Sequence, residues 1–284
     1  MIFINIDVNK ESPTYGKKIP ANGMKSIGRK QDKNRIYSYW KKGDKKNPFS
    51  ISRTAVDEFL SCKRCFYLGR VMGLRDFKTL PLTLASTNDR QVKDEFNKFR
   101  DEEKPHPVMI ENNLNAIPYK DESIKSWTGG GIKFVNEELN FKLTGKLDDV
   151  WVIKNSKPAE LIIVDYKTQA KSGKVDKLKY FVDPFHKGYK FQLEFYRYLF
   201  IKKGLRVFPK GYLLVYNAIQ ERKEFGKEMK FERVLIDFKF EKKTEYFDKI
   251  IKEMKKIMDN DEIPDSEPSC LNCAYIKCGS QLLK

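Results

Sequence analysis

Gly145-Lys146-Leu147-Asp148-Asp149-Val150-Trp151, followed by Ile162-Ile163-Val164-Asp165-Tyr166-Lys167-Thr168, is the stretch whose reading decides the fold. Between the two runs, Asn155-Ser156-Lys157-Pro158 has the composition of a turn. Leu147–Ile153 and Leu161–Tyr166 are therefore predicted as neighbouring strands of a hairpin. The second is a short continuous apolar run, as suits a central strand buried on both faces. Residues i and i+2 of a strand share a face, so Asp165 and Lys167 project together while Val164 and Tyr166 point the other way. The hairpin neighbour can bring Asp148 or Asp149 to that same face, but only one of the two. Two carboxylates beside a lysine at the end of a buried strand are costly to build for structure alone. They fit a hard divalent cation with oxygen ligands, most simply Mg²⁺ or Mn²⁺. Taken alone, D-x-K reads first as a structural ion pair on an edge strand; the preceding G-x-x-D, the apolar strand and the basic composition turn the reading toward a metal site.

Working outward, Ser50 or Ser52 is predicted to cap a helix running through about Gly69, with Val56, Phe59, Leu60, Cys62, Phe66 and Tyr67 inward. A second helix is predicted over 86–102 from the spacing of Val92, Phe96 and Phe99. Residues 103–130 read as a loop with short structured pieces. Phe134–Leu143 alternates as a strand, and Gly211–Asn217 and Phe231–Phe238 read as two more. Residues 188–203 form an aromatic-rich helix, and 243–258 an amphipathic one. The pattern is α/β, a mixed central sheet of about four or five strands flanked by helices. Residues 1–49 are polar and read as a loosely ordered arm, with 50–284 as one domain.

The chain carries 56 Lys and Arg against 39 Asp and Glu, a formal charge of +17. That suggests a polyanionic partner, with nucleic acid ahead of an anionic membrane surface; a general enrichment in lysine is the plainer account. No apolar run approaches the roughly 18 residues of a membrane span, and the first residues do not read as a signal peptide, so a cytoplasmic location is expected. The five cysteines fall in two groups, Cys62-x2-Cys65 and Cys270-x2-Cys273-x4-Cys278. An odd count without a secretory signal argues against disulfides. Two-residue spacing lets paired thiolates reach one zinc ion or iron–sulfur cluster. Trp127, Trp151 and Tyr180 are candidates for stacking on unpaired bases, with core packing the better reading of Trp151, and Lys171, Lys174, Lys177 and Lys179 are candidates for phosphate contacts or equally a solvated loop. His186 reads as a surface residue.

G-K-L-D148 followed by I-I-V-D165-Y-K167-T resembles the core of the PD-(D/E)XK nuclease superfamily, in its RecB-like branch. Gln192-Leu193-Glu194-Phe195-Tyr196 is similar to the branch's Q-x-x-x-Y helix motif, its two polar residues one helical turn apart. Ser50-Ile51-Ser52 through Cys62-Lys63-Arg64-Cys65-Phe66-Tyr67 is similar to the branch's opening segment. The last three cysteines resemble the C-terminal half of the iron–sulfur site of AddB-type nucleases and their CRISPR-associated relatives. The resemblance implies a restriction-endonuclease-like core and a metal-dependent DNA nuclease, an exonuclease first, acting in DNA repair, recombination or replication. A helicase or a replication or recombination protein would be its partner. Asp148, Asp165 and the Tyr166 carbonyl would hold Mg²⁺ or Mn²⁺, Lys167 would be the catalytic lysine, and Gln192 and Tyr196 would orient the site. Cys62, Cys270, Cys273 and Cys278 would hold a [4Fe–4S] cluster, with Zn²⁺ as the alternative and Cys65 competing with Cys62. The branch usually adds a histidine ligand on an early helix. The only histidines here are His106 and His186, and neither lies in 86–102, where Asp89 or Glu95 could substitute. The alternatives are a catalytically inactive nucleic-acid-binding module of a repair or replication complex, and a zinc-bearing nucleic-acid-binding protein.

Overall fold

The structure is a computed structural model and describes residues 40, 42–43, 47–73, 82–220 and 228–282. In chain order its elements are β1 (Phe49–Ser52), α1 (Arg53–Ser61), α2 (Lys63–Arg70), α3 (Thr83–Asp101), α4 (Pro107–Glu111), β2 (Ala116–Pro118), α5 (Ser123–Gly129), β3 (Ile132–Asn136), β4 (Phe141–Gly145), β5 (Asp149–Ile153), β6 (Leu161–Gln169), α6 (Lys187–Lys202), β7 (Lys210–Ala218), β8 (Phe231–Lys239), α7 (Thr244–Met258) and α8 (Leu271–Leu282). The chain falls into two compact units. One is formed by the described residues of Lys45–Asp57 and Lys78–Lys255, the other by those of Met1–Asp44, Glu58–Phe77 and Lys256–Lys284. Most of the arm expected over 1–49 lies outside the described residues.

The larger unit is built on the hairpin of the quoted stretch. β5 and β6 pair antiparallel, Asp149 opposite Val164 and Trp151 opposite Ile162. β6 then pairs parallel with β7, so it has a neighbour on each side, as its apolar run requires. The parallel pair needs a crossover, and α6 supplies it. β2 and β8 close the edges of a mixed five-stranded sheet in the order β2-β5-β6-β7-β8. Ile162, Val164 and Tyr166 pack on one face with Val92 and Phe96 of α3, Met109 of α4 and Trp151. Phe96 and Trp151 are fully buried, their rings stacked 5.4 Å apart; cutting either back to alanine would cost about 3–5 kcal/mol. α6 covers the other face, which carries Asp165 and Lys167, and its Gln192 reaches Asp165.

The strands do not all join one sheet. β1, β4 and β3 form a separate three-stranded sheet in that order, β1 parallel to β4. β5 also starts two residues later than the predicted strand. Asp148 turns its carboxylate onto the Tyr166 N–H, 2.9 Å away, and the strand begins at the next residue.

The single helix predicted through Gly69 is instead β1, α1 and α2. Ser52 caps α1, its Oγ accepting from the Ala55 N–H at 3.2 Å. The helix breaks at Cys62, which is extended at φ −164°, although no glycine or proline marks the break. In the smaller unit, the Tyr67 hydroxyl donates to the Asn260 carbonyl at 2.9 Å and the Trp40 indole to Asp259 at 3.0 Å. These bonds tie segments that are remote in sequence. No helix among the described residues is long and apolar enough to cross a membrane.

Candidate functional site

Strand alternation separates the two adjacent aspartates. Asp149 points to the α3 face and is buried there. It pairs with Arg100 of α3, accepts from the Trp151 indole at 3.0 Å and from the Tyr166 hydroxyl at 2.7 Å. That is a closed ion pair within the core. Asp148, just before β5, falls opposite Asp165, and its charge opposes the ionisation of Asp165.

Asp165 is 1% exposed. Burial pushes its carboxyl up to about 7, the Asp148 charge adds to the rise, and the Lys167 ammonium opposes it. Its Oδ1 accepts from Gln192 Nε2 at 2.6 Å. Its Oδ2 touches the Lys167 ammonium as an ion pair, yet no well-directed hydrogen bond reaches that buried oxygen. Lys167 Nζ also donates to Gln192 Oε1 at 3.3 Å and lies 4.4 Å from the centre of the Tyr189 ring. Gln192 donates from Nε2 to the Tyr196 hydroxyl at 3.0 Å. The four groups thus interlock. The spacing of Gln192 and Tyr196 on α6 puts both under the strand end that carries Asp165 and Lys167, and burial holds the Tyr196 phenol protonated by raising its pKa.

The close approach of β4 to α6 depends on Gly145. A Cβ there would lie 2.8 Å from Tyr196 Cδ1 and 2.9 Å from Leu199 Cδ1.

The helix α3 contributes residues of two kinds. Asp89 is joined to Asp148 through Lys93, whose Nζ donates to Asp89 Oδ2 at 2.8 Å and to Asp148 Oδ1 at 3.1 Å. Burial pushes the Lys93 ammonium toward neutrality, but the Asp148 and Asp89 carboxylates outweigh it and hold the pKa above the ordinary value. Glu95 is engaged elsewhere, with His106 Nε2 at 2.9 Å and the Arg233 guanidinium at 3.9 Å. Six residues separate it from Asp89, which sets the two on different faces of the helix. Lys93 and Tyr189 were missed in the sequence. The one available signal was the i, i+4 spacing of Asp89 and Lys93.

The cysteines meet within the smaller unit. One sulfur from each of Cys62, Cys65, Cys270 and Cys273 lies within 4.8 Å of every other. Cys65 stands 3.5 Å from both Cys270 and Cys273, and Cys62 stands 3.8 Å from Cys273. The gathered thiols differ from the expected set of Cys62, Cys270, Cys273 and Cys278 by having Cys65 in place of Cys278. Cys278 is exposed and outside the group. Five residues along α8 from Cys273, it is turned by about 140° about the helix axis, whereas the break at Cys62 leaves Cys62 and Cys65 on one side. Burial raises the Cys62 thiol, but main-chain donation from Cys65 and Glu267, with the neighbouring thiols, brings it down to about 7. Four thiols with one already acidified suit a thiophilic metal.

Trp151 is buried, in keeping with core packing, and Trp127 and Tyr180 are buried too, so their rings serve packing rather than base stacking. His186 is buried too, stacked between Tyr180 and Tyr189 at 4.0 and 5.5 Å. Lys171 pairs with Asp183 at 2.9 Å and Lys177 with Asn112 at 3.1 Å.

The chain matches the family model of the PD-(D/E)XK nuclease superfamily over residues 89–278, well over half of its 284 residues. It belongs to that superfamily, whose members are nucleases that typically use divalent metal ions. No curated protein matches it. Among solved structures, the crystal structure of SSO0001 is similar over 80% of this chain and 83% of its own, at 14% identity and a TM-score of 0.35; an overlap that loose adds nothing to the assignment.

Proposed function

We propose that the protein is a divalent-metal-dependent deoxyribonuclease of the RecB-like type, an exonuclease working in DNA repair, recombination or replication. The observation that carries this reading is the buried Asp165 Oδ2, met by Lys167 as an ion pair but by no well-directed hydrogen bond, and facing the Asp148 carboxylate. A buried carboxylate oxygen without a hydrogen-bond partner is expensive, and a hard cation satisfies it. The donor set of Asp148, Asp165 and the Tyr166 carbonyl is all oxygen, which suits Mg²⁺ or Mn²⁺. Asp89 adds negative charge beside it.

A divalent ion bound there supplies Lewis acidity, polarising the scissile phosphate and activating the attacking water. The chain's own residues do the rest. Lys167, held by Asp165, Gln192 and the Tyr189 ring, meets the negative charge that grows on the phosphate. Gln192 fixes the Asp165 carboxylate and the Lys167 ammonium at once, and the Tyr196 hydroxyl fixes Gln192.

Lys167→Ala tests the reading on end-labelled single- and double-stranded DNA with Mg²⁺. Cleavage is expected to fall by roughly a hundredfold or more with DNA binding retained. Activity equal to the unmodified protein would sink the assignment. The order in which labelled products appear on the unmodified protein separates exonuclease from endonuclease and gives the polarity.

For the four-thiol site we propose a [4Fe–4S] cluster, with Zn²⁺ as the alternative. Its role is structural, since it joins the residues after Glu58 to those after Lys256. Either metal would hold these segments together by coupling binding to folding. Visible absorption of anaerobically purified protein distinguishes the two, because zinc thiolates are colourless.

A further inference from the structure

The candidate site holds a second lysine, on the helix where a further metal ligand was expected. Lys93 Nζ bridges Asp89 Oδ2 and Asp148 Oδ1, and its side chain is only 23% exposed. The other oxygen of Asp148 already accepts from the Tyr166 N–H. An ammonium approaches a carboxylate oxygen along the same lone pairs as a metal ion, and it cannot accept. The lysine and a divalent ion therefore compete for Asp148 Oδ1. Charge gives the same answer. Asp89, Asp148 and Asp165 face Lys93 and Lys167, which leaves one net negative charge when all three carboxylates are ionised, so a single divalent ion already reverses its sign.

We propose that Lys93 is a resident counter-cation of the metal centre. In the metal-free protein it holds Asp148 and Asp89 together. When the ion binds it must give up Asp148 Oδ1 and keep Asp89 alone, so it lowers the affinity for the metal. This rests on the reading of Asp148 and Asp165 as metal ligands.

The test is Mn²⁺ binding to the full-length, metal-free protein, followed by the electron-spin signal of free Mn²⁺, with no DNA present. Removing a unit charge about 5 Å from a divalent ion strengthens binding on the order of tenfold even in water's dielectric. Lys93→Gln is expected to bind Mn²⁺ at least about tenfold more tightly. Lys93→Met, which keeps much of the stem packing, repeats the measurement should the first variant fold poorly. Lys93→Arg, which keeps the charge, is expected to stay within about threefold of the unmodified protein. Unchanged or weaker binding in both neutral variants overturns the proposal. Asp165→Asn separates the two failures. If it abolishes Mn²⁺ binding while the neutral Lys93 variants change nothing, the Lys93 proposal alone is wrong. If it leaves binding intact, the metal-site reading itself fails.

Discussion

His106 shows how one buried residue turns its surroundings into a pH dependence. Its ring is fully buried, stacked 4.1 Å from Phe96, with Phe99 edge-on at 4.7 Å. Nδ1 accepts from the Val108 N–H at 3.1 Å, so the ring proton sits on Nε2 and is donated to Glu95. Burial is the largest influence and pulls the pKa below 6.5, while Glu95 opposes it. The unfolded chain therefore binds the proton more readily than the folded one. The stabilisation is complete above about pH 6.5 and is lost as the pH falls from there toward the folded-state value. The thermal midpoint of the unmodified protein should drop between about pH 6.5 and 5 more steeply than that of His106→Gln. Parallel curves for the two proteins would contradict this account. At the same scale, strand alternation put Asp165 and Lys167 on one face, while the resemblance to the Q-x-x-x-Y helix motif singled out Gln192 and Tyr196. Lys93, Tyr189 and the burial of His186 could not, because each depends on a partner from a distant segment.

Among the elements, α6 and β4 show why a glycine sits in G-K-L-D. The strand lies against Tyr196 and Leu199 so closely that a methyl group has no room. Gly145→Ala should destabilise the fold by about 1–3 kcal/mol. It should also displace Tyr196 from Gln192 and slow cleavage, as read from the urea midpoint and the initial rate of the same preparation. A variant with an unchanged midpoint would show that β4 can withdraw freely. The helices with apolar stripes agree with their predictions to within about three residues: 86–102 became Thr83–Asp101, 188–203 became Lys187–Lys202 and 243–258 became Thr244–Met258. α8 was not foreseen as a helix. It buries no residue, so it carries no stripe that periodicity could detect.

For the molecule as a whole, the thiol site decides how the smaller unit holds together. Glu58–Phe77 and Lys256–Lys284 are remote in sequence, and a metal shared between them would close a long loop, the case in which a cross-link most favours the folded state. Cys65→Ser should lose bound iron or zinc and lower the thermal midpoint, whereas Cys278→Ser should keep its metal, both measured by elemental analysis. The reverse outcome would restore Cys278 to the ligand set. Of the +17 charge, Lys171 and Lys177 stand at the surface beside Asp183 and Asn112, while Lys93 is drawn into the carboxylate cluster.

By itself the sequence determined what local periodicity can encode. It placed Asp165 and Lys167 on one face of a buried strand, set Gln192 one turn from Tyr196, and confined the cysteines to two short clusters. Only the tertiary structure decided that Asp148 faces Asp165 while Asp149 pairs with Arg100 in the core, that Lys93 bridges two carboxylates, and that Cys65 rather than Cys278 completes the thiol group. Those outcomes depend on strand register, helix rotation and the packing of segments far apart in the chain, and no local pattern fixes these.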